Sequence, residues 1–215
     1  MKAYIKVKKD RNSGLIVGHS LEMQKAMNGF NELACEIEPY YSLNDIYDQI
    51  TREDIVVDYL VQCENVFRKF GITHPHVDNY PECLKEFLGR KIWKDTINSI
   101  SSDEKKWSAG CFVYYDEIID VRPYKGDWHY NYDPDVLDQI MNQFTQWDER
   151  PMACSIDIGV TKEGRTLLIE CNDAYSLGAY GLEDYKYAKL LSARWSQLLN
   201  REDVFDYRKY REGNE

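Results

Sequence analysis

Two short apolar runs, Ser155-Ile156-Asp157-Ile158-Gly159-Val160 and Thr166-Leu167-Leu168-Ile169-Glu170-Cys171-Asn172-Asp173, flank Thr161-Lys162-Glu163-Gly164-Arg165. A connection this short, with a glycine where a tight reversal needs positive φ, predicts one antiparallel hairpin. Alternation along a strand sends Glu170 and Asn172 to one face and Ile169 and Cys171 to the other. Folding back at the turn brings Asp157 beside Glu170. Three hard oxygen donors on rigid strands suit Mg²⁺, which favours carboxylates together with the oxygens of a bound phosphate. The plainer alternative is a hairpin whose acids simply face water. Against it stands the next stretch, Asp173-Ala174-Tyr175-Ser176-Leu177-Gly178-Ala179-Tyr180-Gly181-Leu182. Its small residues and two glycines let backbone pass close to a ligand.

The chain of 215 residues is long enough for one large or two small domains. Its 27 Lys and Arg against 37 Asp and Glu leave a net charge of −10, which supplies no broad positive field for a nucleic-acid backbone. Lys2, Lys6, Lys8 and Lys9 make a local basic cluster, read as a solvated strand edge. The six cysteines stand singly, with no C-x-x-C pair, and read as reduced core residues. No apolar run is long enough to span a membrane and no export signal opens the sequence, so a soluble, cytoplasmic protein is expected.

Taken in order, Ala3–Val7 alternates as a strand and residues 14–18 suit its hairpin partner. Ser20 caps a helix that Gly29 is expected to end; residues 33–37 read as a strand, 44–50 as a short helix, 54–57 as a buried strand and 61–70 as a helix stopped by Gly71. This alternation predicts a small α/β lobe over residues 1–75. His74 and His76 flank Pro75 and are read as loop residues rather than metal ligands. Pro81 opens a helix to Leu88, Gly89 breaks it, and a second helix is expected over 90–100, with Arg90 and Lys94 either meeting an anion or facing solvent. The linking segment is set at 76–110. The third region, 111–215, opens with a hairpin of 111–115 and 117–121 that leads into Arg122-Pro123-Tyr124-Lys125. It continues with an amphipathic helix from Asp133-Pro134, the carboxylate hairpin, and a final helix over 183–199. Arg122 offers a planar fork for phosphate or carboxylate, and Lys125 a movable point charge.

Asp157-Ile158-Gly159-Val160, Leu168-Ile169-Glu170-Cys171-Asn172-Asp173 and Tyr175-Ser176-Leu177-Gly178-Ala179-Tyr180-Gly181-Leu182, in that order, resemble the C-terminal signature of ATP-grasp proteins, nearest a small clade of bacteria and their phages. Tyr80-Pro81-Glu82, residues 88–93 and residues 121–127 extend the resemblance loosely over most of the chain. It implies an α/β (α+β) architecture, with a small N-terminal lobe and a C-terminal antiparallel sheet with flanking helices. It also implies an ATP- and Mg²⁺-dependent carboxylate–amine ligase working through an acyl phosphate, with small-molecule or peptide carboxylate and amine substrates. In the family the Asp and the Glu-x-Asn pair hold the metal, which carries over to Asp157, Glu170 and Asn172. Lys106, Arg122 and Asp173 are expected at the nucleotide, and Arg122 and Lys125 at the transferring phosphoryl group.

One departure stands out. Only 28 residues separate Trp93 from Arg122, too few for the lysine strand, flexible phosphate-covering loop and arginine strand that ATP-grasp proteins usually carry there. Residues 106–110 are either a remnant of that lysine and loop or a replacement for them, with Gly110 standing where the arginine would be. The intact metal residues favour the ligase; the shortened span favours a trimmed, inactive relative that binds a nucleotide or a protein partner, in a phage–host setting. A metal-dependent hydrolase ranks last, for want of histidine ligands. Neither a P-loop nor a G-x-G-x-x-G fingerprint is present.

Overall fold

The computed structural model describes residues 1–73, 75–89, 106–206 and 208. It is a mixed α+β structure with two sheets, and its contacts group into two compact units, residues 1–76 with 173–215 and residues 77–172. This division differs from the boundaries read from the sequence, because the last helix packs with the N-terminal elements and the 110/111 boundary cuts through a strand.

In the first unit β1 (Lys2–Lys9) pairs antiparallel with β2 (Ile16–Gly18) and parallel with both β3 (Glu36–Tyr40) and β4 (Ile55–Val57). β1 is therefore a central strand, not the solvated edge that its lysines suggested. Two of the four lysines meet acids, Lys2 Nζ 2.7 Å from Glu36 on β3 and Lys6 Nζ 3.4 Å from Asp58 just after β4, while Lys8 and Lys9 are exposed. Helix α1 (Leu21–Glu32) starts at Ser20, whose Oγ accepts from Met23 N–H. It runs through Gly29 rather than ending there. A Cβ at Gly29 would lie 1.9 Å from the Asp184 carbonyl oxygen, so this glycine permits α1 to approach the final helix, α5 (Asp184–Leu198). Short helix α2 (Leu43–Ile46) joins β3 to β4, and α3 (Leu60–Lys69) ends ahead of Gly71 at φ +82°. Tyr187, Leu190, Leu191 and Trp195 of α5 are buried, as its periodicity predicts.

In the second unit a four-stranded sheet has the order β6-β5-β7-β8, from β5 (Trp107–Tyr114), β6 (Glu117–Gly126), β7 (Ala153–Val160) and β8 (Thr166–Asp173). β5 pairs antiparallel with β6 and with β7. The expected hairpin of β7 and β8 forms, with Gly164 at φ +81° in its turn. Both β5 and β6 are longer than the sequence suggested, so Arg122 and Lys125 lie within a strand. One face of the sheet packs Ala109, Cys111, Ile156 and Ile158 against Leu137, Ile140 and Phe144 of helix α4 (Pro134–Thr145), together with Leu84 and Leu88. Residues 82–88 form a 3₁₀ helix closed by Gly89 at φ +59°. The helix expected over 90–100, with Arg90 and Lys94, lies outside the described residues, as does His74. Four of the six free cysteines are buried. Among the described residues no helix is long and apolar enough to cross a membrane.

Candidate functional site

The face of the second sheet turned away from α4 carries the polar groups. Directly paired residues on antiparallel strands share a face, and here Arg122 on β6 pairs with Gly110 on β5, which pairs with Asp157 on β7. Gly110 puts no side chain between the two, whose strands lie two cross-strand steps, about 10 Å, apart. A β-bulge follows on β6: Pro123 opposes Ala109 and Lys125 opposes Ser108, which leaves Tyr124 as the extra residue. Such an insertion bends the strand and re-aims a side chain. Tyr124, two residues on from Arg122, shares its face and there hydrogen-bonds Asp157.

Asp157 is 4% exposed, in a strand whose eight residues are all buried. Its carboxylate accepts hydrogen bonds from Ser155 Oγ, two residues back on the same face, and from the side chains of Tyr124 and Asn172. Burial pushes its pKa up to about 6, and the nearby Glu170 carboxylate adds to the rise, while the three hydrogen bonds oppose it. On β8 Glu170 and Asn172 share this face, with Asn172 Nδ2 3.3 Å from Glu170 Oε1. Cys171, between them, points into the core. The Cys171 backbone N–H donates to Asn79 O at 2.9 Å, and Asn79 Nδ2 donates back to Cys171 O at 2.6 Å, tying that end of β8 in place. The Asn172 amide thus lies against both carboxylates. Among the described residues no group of three or more His, Cys, Asp or Glu converges, so an amide is what completes this oxygen set.

The structure brings Asp157, Glu170 and Asn172 together and keeps the cationic candidates engaged or further off. Arg122 lies on the carboxylate face but gives Nη2 to Asp120 at 2.7 Å, while its buried Nε has no hydrogen-bond partner among the described residues. Lys125 is exposed and lines a cleft of ≈580 Å³ with Tyr124, Trp107, Trp128 and Tyr130. Lys106 precedes β5, held by its backbone between Val160 O and Asp127 N–H, four residues or about 13 Å along the strand from Gly110. Asp173 belongs to the first unit, where both its oxygens are taken by Arg194, at 2.8 and 2.7 Å, in a pair 8% exposed on each side. A nucleotide approaching Asp173 would meet a neutralised ion pair rather than a free acid. Sequence reading missed Ser155, Asp120 and Tyr124. Strand alternation alone identifies Ser155 and sets Tyr124 on the face of Arg122, whereas the contact of Tyr124 with Asp157 depends on the pairing of β6, β5 and β7, which leaves no mark in the sequence.

Residues 110–190 match the family model described as ATP-grasp domain, R2K clade family 2. The match begins in β5 and ends in α5, so it takes in Arg122, Lys125, Asp157, Glu170, Asn172 and Asp173, and leaves out Lys106. The ATP-grasp resemblance read from the carboxylate hairpin is shown over this stretch, and the two-sheet α+β architecture fits an ATP-grasp-like fold. ATP-grasp domains are generally ligase-like and bind ATP with Mg²⁺. No curated protein matches the chain.

Proposed function

We propose that the chain is an ATP- and Mg²⁺-dependent carboxylate–amine ligase of ATP-grasp type, and that Asp157, Glu170 and Asn172 hold its metal. The observation that carries this reading is their convergence on one sheet face, with a buried acid beside a second carboxylate and no cationic side chain bonded to either among the described residues. The set fits Mg²⁺ chemically: two carboxylates and an amide oxygen are hard donors, and a cation would offset both the burial of Asp157 and its repulsion by Glu170. Asn172 presents its N–H to Glu170, so holding a metal requires it to turn its oxygen inward. When bound, the metal supplies charge neutralisation on the ATP phosphates.

In such a reaction a substrate carboxylate takes the γ-phosphoryl group of ATP, and an amine then displaces phosphate from the acyl phosphate. Phosphoryl transfer asks the protein mainly for alignment and charge neutralisation. Arg122, whose Nε–H has no partner among the described residues, is the donor assigned to the phosphoryl group or the substrate carboxylate, steadied by Asp120. Lys125, at the mouth of the aromatic cleft, is assigned to the outer charge of the same substrates.

Calorimetric titration of ATP with and without Mg²⁺, beside Glu170→Gln, tests the reading. Saturable binding that needs both the metal and Glu170 supports it; binding unchanged in the variant removes Glu170 from the site. A second reading, an inactive relative that binds nucleotide or a protein partner without turnover, is favoured by the engagement of Arg122 with Asp120 and of Asp173 with Arg194. ATP binding without ADP release, across a panel of carboxylates and amines, would select it.

A further inference from the structure

Strands β1, β3 and β4 of the first unit run parallel in the order β3-β1-β4, so the chain leaves β1 toward one neighbour and later returns to the other. In open α/β sheets a crevice opens beyond the carboxyl ends of the strands where the connections diverge. Here that place lies beyond β1 and β4, and the unit holds a cavity of ≈280 Å³ there. Its walls are the first turn of α1, the junction of β4 and α3, residues 175–178 and one side of α5.

The lining is largely carbon. Tyr187 OH donates to Leu177 O at 2.7 Å and Tyr175 OH is bonded to His76 Nδ1 at 2.9 Å, so both tyrosines have their polar ends occupied and offer rings. Tyr59 and Leu60, 50% and 43% exposed, form an apolar rim. Two acidic residues belong to its lining, Glu22, which is partly exposed, and Asp58, whose side chain is fully buried. Asp58 accepts from Tyr40 OH at 2.8 Å and from Tyr59 N–H at 2.7 Å, and Lys6 at 3.4 Å offsets its charge. Glu22 has no ion-pair partner among the described residues. The Tyr187 hydroxyl has its pKa raised first by burial and then by the Glu22 carboxylate, which puts that charge close to the cavity wall.

We propose that this crevice binds a small primary amine with an aliphatic or aromatic body, the ammonium held at Glu22 and the body against the tyrosine rings and aliphatic walls. An apolar pocket with a few convergent polar groups is the usual form of a small-molecule site, and an anion here would face the Glu22 carboxylate with no cationic side chain among the described residues of the lining. A ligase that joins a carboxylate to an amine must take up such a molecule. That link rests on the function proposed above, whereas the binding itself does not.

The test is titration of 2-phenylethylamine into the full chain, without nucleotide or Mg²⁺, beside 2-phenylethanol and 3-phenylpropionate. Saturable binding of the amine, weaker binding of the alcohol and none of the carboxylate are expected. Glu22→Gln, in the first turn of α1, is expected to weaken the amine by about tenfold through loss of one charge-assisted contact. Ser176→Phe, which fills the cavity, is expected to abolish binding with the far-UV circular dichroism unchanged. The proposal is overturned by binding of the carboxylate as tight as that of the amine, by equal amine affinity in wild type and Glu22→Gln, or by no saturation at millimolar amine. Running Glu170→Gln in parallel separates the two readings: amine binding kept while ATP binding fails to depend on Glu170 sinks the ligase alone, and the reverse sinks the crevice alone.

Discussion

A carboxylate that is 4% exposed and shares its surroundings with a second carboxylate is an expensive residue at neutral pH. The pKa of Asp157, about 6 against an ordinary 3.8, means that the folded chain holds this proton more tightly than the unfolded chain. Stability therefore falls as pH rises from about 4 to about 6 and stays lower above that window, by on the order of 2–3 kcal/mol. Asp157→Asn removes the charge while keeping the shape. It is expected to raise the melting temperature at pH 8 and to leave it nearly unchanged at pH 4, in thermal unfolding without added metal. Equal shifts at the two pH values would mean that the ionised carboxylate carries no such cost. Tyr124→Phe removes a donor that favours the ionised form, so the midpoint of the Asp157 carboxyl titration, followed by carbon NMR, is expected to move upward. A midpoint left in place would take Tyr124 out of contact with Asp157.

Within each unit one close approach that only glycine allows sets how the elements meet. Gly126 ends β6 at φ +114°, and a Cβ there would stand 2.1 Å from Lys106 O, the atom that accepts from Asp127 N–H. Beyond it Asp127 Oδ1 accepts from His129 N–H at 3.0 Å, fixing the turn that presents Trp128, 83% exposed, to the aromatic cleft. Gly126→Ala is expected to cost about 1–3 kcal/mol and to displace the Tyr124 bulge, seen as shifts of the Tyr124 and Trp128 ring resonances in NMR spectra. Gly29→Ala meets the Asp184 backbone at 1.9 Å and is expected to cost a similar 1–3 kcal/mol by forcing α1 away from α5, measured by urea unfolding. If Gly29→Ala unfolds at the wild-type midpoint, the approach of the two helices is looser than the backbone distances require.

At the scale of the molecule the chain passes from one unit to the other and back, so the first unit is assembled from both ends of the sequence. Trp195, Leu190 and Leu191 of α5 are at most 1% exposed, and α1 is among the elements that cover this helix. Residues 111–215 expressed alone would leave α5 without that cover and are expected to give poorly dispersed NMR spectra; a well-dispersed fragment would restore the boundary read from the sequence. The contact grouping departs from that boundary because periodicity reports which face of a helix is apolar, not which distant segment covers it. The carboxylate hairpin, the caps at Ser20 and Asp133, and the shared face of Glu170 and Asn172 were legible, since each follows from neighbours a few residues apart and from the fixed periods of strand and helix. The central position of β1, the pairing of Asp173 with Arg194, the passage of α1 through Gly29 and the reach of Tyr124 to Asp157 were decided by tertiary structure. Each depends on a partner remote in sequence, which leaves no local pattern. Thus the sequence by itself determined which oxygen atoms share a face, and the packing of distant segments decided which charged groups remain open to a ligand.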